Sequence, residues 1–340
     1  MTDDDHTPLA LLDAADACHD DDPPRAADLL RRIDPAALPA DRLPGLAFLL
    51  NHVLGEKFGA WAEAHARFGP VLRAAGDQPL PVLWRQAAAA AGLAGDASAA
   101  AEAVAAMARA TGASAEQAGD VVALTQAMYR VPGLPAAEAA QAAAAAIAAL
   151  AAPRWQAQPT PLDAAAGACT NNIASGLIER PLADLAEPAL RSATEDVAQC
   201  AERLWLRAGT WVNHERAAYL RALVANGLGD PGAAREHALR GLALIDANDS
   251  EHVEDVDRAF LLLEQSRAAR ALGRADEAQA ALVEADALAA KFGDAGLDAW
   301  YAGRRAVSVP HGRSEGTDCP LGGRERSELG GSSSVGEASA

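Results

Sequence analysis

The sequence is poor in cysteine, and the four cysteines that it has are far apart. They are Cys18, Cys169, Cys200 and Cys319, and no two of them form a Cys-x-x-Cys pair. Disulfide-stapled domains and zinc ribbons need sets of closely spaced cysteines. Neither class is indicated, and we expect the first three thiols to be buried as small apolar groups and Cys319 to be exposed.

Positive charge is also scarce. Lys and Arg number 29 against 47 Asp and Glu, which gives a formal net charge of −18 at pH 7. Nonspecific binding to nucleic acid requires clustered Lys and Arg that displace counterions from the phosphate backbone. We therefore expect no nucleic-acid partner.

Long hydrophobic runs are missing. No stretch of about 18 or more strongly hydrophobic residues occurs, and Met1 to Asp5 are acidic where a signal peptide would be basic. The alanine-rich run from Ala142 to Ala152 is too short and too weakly hydrophobic to span a bilayer. The sequence predicts a cytoplasmic protein with no membrane partner.

What the sequence has in abundance is alanine and helical periodicity. Half of the residues are apolar but only 4% are aromatic. Alanine has the best helix propensity because it loses no side-chain entropy. Apolar residues recur at helical spacing, the alternation of a β-strand is nearly absent, and Gly or Pro breakers separate the periodic stretches. The predicted fold class is all-α.

An internal repeat emerges when the glycine that ends the first helix of each pair serves as an anchor. In three copies a small residue follows the anchor by five positions, where it lets the second helix lie close to the first. The anchors are Gly95, Gly229 and Gly273, and the small residues are Ala100, Ala234 and Ala278.

This pattern resembles the tetratricopeptide repeat (TPR). The best-matching residues are Trp84, Ala88, Ala91, Gly95, Asp96 and Ala100, and a weaker earlier copy has Gly59, Trp61, Ala64 and Phe68. Gly59, Gly95 and Gly133 are 36 and 38 residues apart, and Gly229 and Gly273 are 44 apart, against about 34 in the standard repeat. The resemblance implies a right-handed α-α superhelix, or solenoid, of about seven antiparallel helix hairpins with lengthened helices.

The predicted organisation has three parts. Residues 1–8 form a disordered N-terminus, residues 9–305 the TPR-like array, and residues 306–340 a disordered tail. The tail is rich in Gly, Ser, Glu and Arg and has almost no large apolar residue. Such a segment buries too little surface to offset the entropy of ordering.

The resemblance also implies where a partner binds, because TPR arrays hold peptides in a groove lined by the first helix of each hairpin. Carried over by position, the groove residues are Arg216, Tyr219, Asn226, Arg267 and Arg270. The three arginines predict a local positive patch for a carboxylate or an acidic peptide. The family's carboxylate clamp of Lys and Asn is not reproduced, so recognition of a free C-terminus is not indicated.

Two motifs resemble cofactor and metal sites but lack the context that those sites need. Residues Gly227 to Gly232 match Gly-x-Gly-x-x-Gly, yet a helical stretch precedes them where a nucleotide site requires a strand. His214-Glu215 begins a His-Glu-x-x-His pattern, but Ala218 stands where the second His belongs. We interpret the first as a repeat turn and the second as the start of a helix capped by Asn213.

Other charged pairs are typical of exposed helix faces. His52 and Glu56 lie one turn apart, as do Glu63 and Arg67. No catalytic, cofactor-binding or metal-binding residue is predicted.

The predicted function is a non-catalytic scaffold that binds a protein or peptide. An alternative is a ligand-sensing module of a bacterial transcription or signalling system, which a small deep pocket would favour. An enzyme of unrecognised type is a further alternative. The sequence leaves the identity of the partner and the oligomeric state open.

Overall fold

The computed structural model describes residues 7–77, 80–249 and 253–308. Within this part of the chain there are sixteen α-helices and no β-strand, which confirms the all-α fold class. The helices are Pro8–Cys18 (α1), Pro23–Arg32 (α2), Leu43–Leu49 (α3), Trp61–Ala74 (α4), Pro81–Leu93 (α5), Ala97–Thr111 (α6), Ala115–Arg130 (α7), Ala136–Ala148 (α8), Pro153–Gln156 (α9), Asp163–Ile178 (α10), Pro188–Ala208 (α11), Trp211–Gly227 (α12), Pro231–Asn248 (α13), Asp255–Ala271 (α14), Ala275–Ala289 (α15) and Ala295–Ser308 (α16).

Short irregular helices connect these elements. One is a π-helix over Leu50–Lys57, which continues directly from α3. The 3-10 helices are Pro35–Ala37, Ala40–Arg42, Val131–Gly133, Ala149–Ala151 and Asp184–Ala186.

The chain clusters into two compact units, whereas the sequence predicted one array over 9–305. Among the described residues, unit 1 comprises 7–134 and 148–162, and unit 2 comprises 135–147 and 163–308. Helix α9 returns to unit 1 because Asp120 of α7 accepts hydrogen bonds from Trp155 Nε1 at 2.7 Å and from Arg154 Nε at 2.8 Å. Trp155 is fully buried there.

Three hairpins share one turn geometry, as the repeat predicts. Gly95, Gly229 and Gly273 adopt left-handed φ angles of 86°, 82° and 74°. The next N–H group in each turn donates to a carbonyl five residues back, with lengths of 2.9, 2.8 and 2.9 Å. This is the Schellman closure, for which glycine is favoured because it has no Cβ. Residues 227–232 therefore join two helices, and the repeat-turn interpretation is confirmed.

Gly133 does not belong to this set, although its spacing from Gly95 predicted that it ends the first helix of a repeat. It lies in the 3-10 helix Val131–Gly133 that follows α7, and its φ is not left-handed. Val131-Pro132-Gly133 is a breaker of a different kind, since proline cannot donate the backbone hydrogen bond that continues a helix.

Small residues lie at the hairpin crossings. Ala234 is fully buried and Ala278 is 2% exposed, and Ser266 of α14 donates to the carbonyl of Ala278 at 2.7 Å. A Cβ added to Gly241 of α13 would lie 2.7 Å from Leu261 of α14. These helices pack too closely for larger side chains at these positions.

The ends of the described chain differ from the predicted boundaries. Thr7 caps α1 by accepting from Ala10 N–H, so the helix begins at Pro8 inside the segment expected to be disordered. Helix α16 reaches Ser308, beyond the predicted boundary at 305. The expectations for residues 1–6, for the tail from 309 to 340 and for Cys319 lie outside the described residues.

Cys169 and Cys200 are buried, as expected. Cys18 was expected to be buried as well, but it is partly exposed. No described helix combines the length and apolar character needed to cross a bilayer.

Candidate partner-binding site

The five predicted groove residues all lie in unit 2, on the first helices of two consecutive hairpins. Arg216, Tyr219 and Asn226 belong to α12, whereas Arg267 and Arg270 belong to α14. The structure gives them four different environments.

Helix α12 begins differently from the prediction. Thr210, not Asn213, precedes the first helical residue, and Asn213 Oδ1 accepts from the Thr210 backbone N–H at 2.9 Å. Asn213 thus satisfies an N–H group at the helix start from its third position. This local hydrogen bond fixes the N-terminal turn that carries Arg216.

Arg216 lies among three carboxylates. Its Nε is 2.7 Å from Asp257 Oδ2 and 3.6 Å from Glu215 Oε1, and its Nη2 is 3.3 Å from Glu254 Oε2. One guanidinium thus faces up to three negative charges. The predicted positive patch is wrong for Arg216, because its charge is already neutralised by residues of α12 and of the segment that begins α14.

The same cluster perturbs the ionisation of its acids. Glu215 is fully buried, and no described N–H group donates to either of its carboxylate oxygens. Burial first, and the neighbouring Asp257 second, raise the pKa of Glu215 well above its usual value. The same two causes raise the pKa of Glu254. The oxygens of Glu215, Glu254 and Asp257 lie within 4.8 Å of one another, but Arg216 already supplies the positive charge that a cation would bring.

Tyr219 is buried, so it does not line an open groove. It is 7% exposed, and its hydroxyl has no hydrogen-bond partner among the described residues. Its ring packs against Phe260 of α14 at 6.3 Å between centroids. Phe260 in turn contacts Trp300 and Tyr301 of α16, at 3.9 and 5.8 Å. Helix α16 therefore packs on the apolar part of the predicted groove face.

Asn226 takes part in a buried polar network centred on Glu264. Asn226 Nδ2 donates to the backbone oxygen of Glu264 at 2.9 Å and to its Oε2 at 2.8 Å. Arg304 of α16 donates to Glu264 Oε1 at 2.8 Å. Glu264 is only 2% exposed, and a buried charge requires such partners.

Sequence reasoning missed Glu264 and Arg304. Glu264 follows Leu261, Leu262 and Leu263, so its place in an apolar stretch of α14 was the available signal. Arg304 lies next to the predicted end of the array, where no interaction was sought. A contact between residues 40 apart depends on the order of helices in space, which spacing along one helix does not give.

Arg267 and Arg270 are the part of the predicted patch that remains positive. They are partly exposed and one turn apart on α14, a spacing that places side chains side by side. The Nη1 of Arg267 is 3.9 Å from Glu264 Oε2, which already accepts from Asn226. No described residue forms an ion pair with Arg270.

Unit 1 contains an open cleft of about 430 Å³ between α2, α3 and α4. Apolar side chains line it, including Leu30, Leu46 and Leu50. Its three charged residues already have partners: Glu63 accepts from Arg31 at 2.7 Å, Arg67 donates to the carbonyls of Leu30 and Arg31, and Asp34 accepts from the Ala36 N–H group at 3.1 Å. The cleft therefore has few polar groups left to orient a small ligand, and it does not favour the ligand-sensing alternative.

Comparisons with known proteins identify no family. No family model matches the chain, and no curated protein matches it. One solved structure to which it is similar is BtubC (BKLC) from P. vanneervenii, at 14% sequence identity and a TM-score of 0.43. That alignment covers 94% of this chain and 98% of the other.

Proposed function

We propose that the chain is a non-catalytic, TPR-like scaffold that binds an acidic protein or peptide segment through Arg267 and Arg270. The observation that carries the proposal is the arginine pair on the first helix of the α14–α15 hairpin, in which Arg270 has no ion-pair partner among the described residues and Arg267 Nη1 is 3.9 Å from the Glu264 carboxylate. The protein has 47 acidic and 29 basic residues, so most arginines can find a carboxylate nearby. Two neighbouring arginines that lack close carboxylates can instead bind an external anion.

The chemistry of the pair favours a carboxylate-bearing segment. Guanidinium groups offer several donors in a fixed plane and bind carboxylates in bidentate fashion. Because the overall charge of −18 repels an acidic partner at long range, recognition must come from local contacts at the pair.

The proposal is tested by capturing partners on the purified chain and then measuring the affinity of each captured partner. We expect Arg267→Ala/Arg270→Ala to weaken binding by about tenfold or more, or roughly 1.4 kcal/mol. The matched control is Arg274→Ala, which removes an arginine that is 53% exposed and lies 3.5 Å from Glu277.

Two results would contradict the proposal. If the double variant binds as tightly as the unmodified chain, the partner does not use this surface. If neither the unmodified chain nor the control retains a partner, the scaffold function itself is wrong.

A further inference from the structure

We propose that His19, Asp20 and His52 form a binding site for a divalent first-row transition-metal ion such as zinc. The site lies in unit 1 and is independent of the proposed partner surface. The sequence predicts no metal ligand here, because the spacing of His52 and Glu56 is typical of an exposed helix face, whereas His52 is only 1% exposed.

Two elements bring the three side chains together. His19 and Asp20 follow the last residue of α1, and His52 lies in the π-helix Leu50–Lys57. His19 Nε2 is 3.3 Å from Asp20 Oδ2, and His52 Nε2 is 3.5 Å from Asp20 Oδ1. One potential ligand atom from each residue lies within 4.8 Å of the other two.

These separations suit a small metal ion. Zinc binds imidazole nitrogen at about 2.0–2.1 Å and carboxylate oxygen at about 2.0–2.2 Å, so tetrahedral ligands lie roughly 3.3–3.5 Å apart. The two nitrogen–oxygen distances, which run to different oxygens of the Asp20 carboxylate, fall in that range. Two imidazoles and one carboxylate leave a position open for water or an external ligand.

The hydrogen bonds on the far side of each imidazole fix the nitrogen that faces the site. His19 Nδ1 is 2.5 Å from the carbonyl oxygen of Asp16, and His52 Nδ1 is 2.8 Å from Glu56 Oε2. A carbonyl and a carboxylate accept hydrogen bonds, so each Nδ1 carries the proton and donates it. In a neutral ring the Nε2 lone pair is then free to bind a metal. Metal-binding histidines characteristically make this second hydrogen bond.

An unpartnered buried atom supports a cation site. His19 is 3% exposed, and its Nε2 has no hydrogen-bond partner among the described residues although Asp20 is adjacent. Two Nε2 lone pairs that face one carboxylate repel it. One metal ion between the three groups would remove this repulsion.

The surroundings hold the ligands but leave room for exchange. Phe48 stacks on the His52 ring, with centroids 5.3 Å apart and planes at 9°, which fixes the orientation of that ring. Lys57 Nζ lies 3.0 Å from Asp20 Oδ1 and is 28% exposed. This long side chain can move to solvent when a metal ion takes over the neutralisation of Asp20.

The experiment uses the full chain after removal of metal with a chelator. Co²⁺ and Zn²⁺ are titrated separately, the visible absorption of Co²⁺ is recorded, and bound Co²⁺ is then challenged with Zn²⁺ and with excess Mg²⁺. We expect one ion per chain, a Co²⁺ spectrum of low coordination number, and displacement by Zn²⁺ but not by Mg²⁺, which prefers oxygen ligands.

Variants locate the ion. We expect His19→Gln and Asp20→Asn each to weaken Co²⁺ binding by at least about tenfold, with far-ultraviolet circular dichroism confirming the fold. The matched control is His65→Gln, which removes a partly exposed histidine that lies 3.5 Å from Asp96, and it should bind like the unmodified chain.

The titration of the unmodified chain is decisive even if a variant fails to fold. Absence of Co²⁺ and Zn²⁺ binding would overturn the proposal. Displacement of Co²⁺ by Mg²⁺ would overturn it too, because the ion would then be bound by surface carboxylates. Unchanged binding by folded His19→Gln and Asp20→Asn would place the ion elsewhere.

Discussion

Asn51 shows how strongly a single buried amide can be constrained. It lies in the π-helix with no solvent exposure, and its Nδ2 donates to Gln86 backbone oxygen at 3.0 Å and to Gln86 Oε1 at 2.8 Å. Tyr129 also donates to Gln86 Oε1, at 2.9 Å. We expect Asn51→Asp to lower the free energy of unfolding by about 3 kcal/mol or more, because a buried carboxylate would face two acceptors without a donor.

Urea unfolding of the variant and the unmodified chain measures this loss. Asn248→Asp is the matched control, since Asn248 is exposed at the end of α13. A loss no larger in Asn51→Asp than in the control would show that the Asn51–Gln86 network does not form in solution.

Glu215 gives a second residue-scale prediction, which concerns pH. Its pKa is raised from the ordinary 4.5 by burial and by Asp257, so the folded state keeps a proton that the unfolded state releases. The free energy of unfolding must therefore fall as pH rises from about 4.5 through the folded pKa. Glu215→Gln cannot release that proton, so we expect its stability advantage over the unmodified chain to grow across this window.

Unfolding by urea at several pH values between 4.5 and 8 tests this expectation. The exposed carboxyl of Glu236 on α13 supplies the control, Glu236→Gln, for which no comparable growth is expected. If the difference between Glu215→Gln and the unmodified chain does not change with pH, Glu215 is not held in its protonated form.

At the scale of elements, the hairpin crossings depend on alanine. Ala234 begins the buried face of α13 and forms a cluster with Ala225 of α12 and Ala268 of α14. Ala278 has the equivalent position in α15. We expect Ala234→Leu or Ala278→Leu to destabilise the protein by about 1–3 kcal/mol, because the added atoms overpack a close crossing.

Thermal unfolding checks the prediction against Ala280→Leu, which adds the same atoms at an exposed site two residues from Ala278. Equal melting temperatures for all three variants would mean that the repeat register assigned to these hairpins is wrong.

Local signals in the sequence predicted the elements well, and contacts between elements poorly. Gly-Asp turns and capping residues act within a few positions, so Gly95-Asp96 and Gly229-Asp230 could be placed correctly. The π-helix could not, because its apolar pattern is compatible with an α-helix. Its packing involves Gly55, where an added Cβ would clash with the Trp61 ring.

The candidate site shows the same limit. The helix position of Arg216 was predicted, but its neutralisation by Asp257 was not, because that partner lies 41 residues away. Burial of Tyr219 likewise depends on packing against α14 and α16. Spacing along the sequence predicts which side chains are neighbours on the same helix. It does not predict which side chains on the next helix they contact.

At the scale of the whole molecule, ion pairs repeat with the period of the hairpins. Within unit 1, Arg31 pairs with Glu63 and Arg154 with Asp120, which are 32 and 34 residues apart. Within unit 2, Arg216 pairs with Asp257, Arg235 with Glu277 and Arg304 with Glu264, at separations of 41, 42 and 40. Each unit thus joins neighbouring elements in a chain of local interfaces, as repeat proteins do.

The division into two units could not be inferred from chain order. Residues 135–147 belong to unit 2, and the chain then returns to unit 1 over 148–162. The return depends on the buried indole of Trp155 and the guanidinium of Arg154, which both donate hydrogen bonds to the carboxylate of Asp120 in α7. Nothing in the periodicity of this alanine-rich region distinguishes a helix of one unit from a helix of the other.

The π-helix has a consequence for changes in chain length. Its wider hydrogen-bonded turn holds one more residue than an α-helical turn does. The segment Leu50–Lys57 therefore contains an extra residue that an α-helix would not need. Loss of one codon there would let the segment return to α-helical pitch and would keep the residues after it near their present orientation relative to α3. A single deletion before His52 in this segment would thus change which side chain meets His19 and Asp20, and we expect it to leave helix α4 in place.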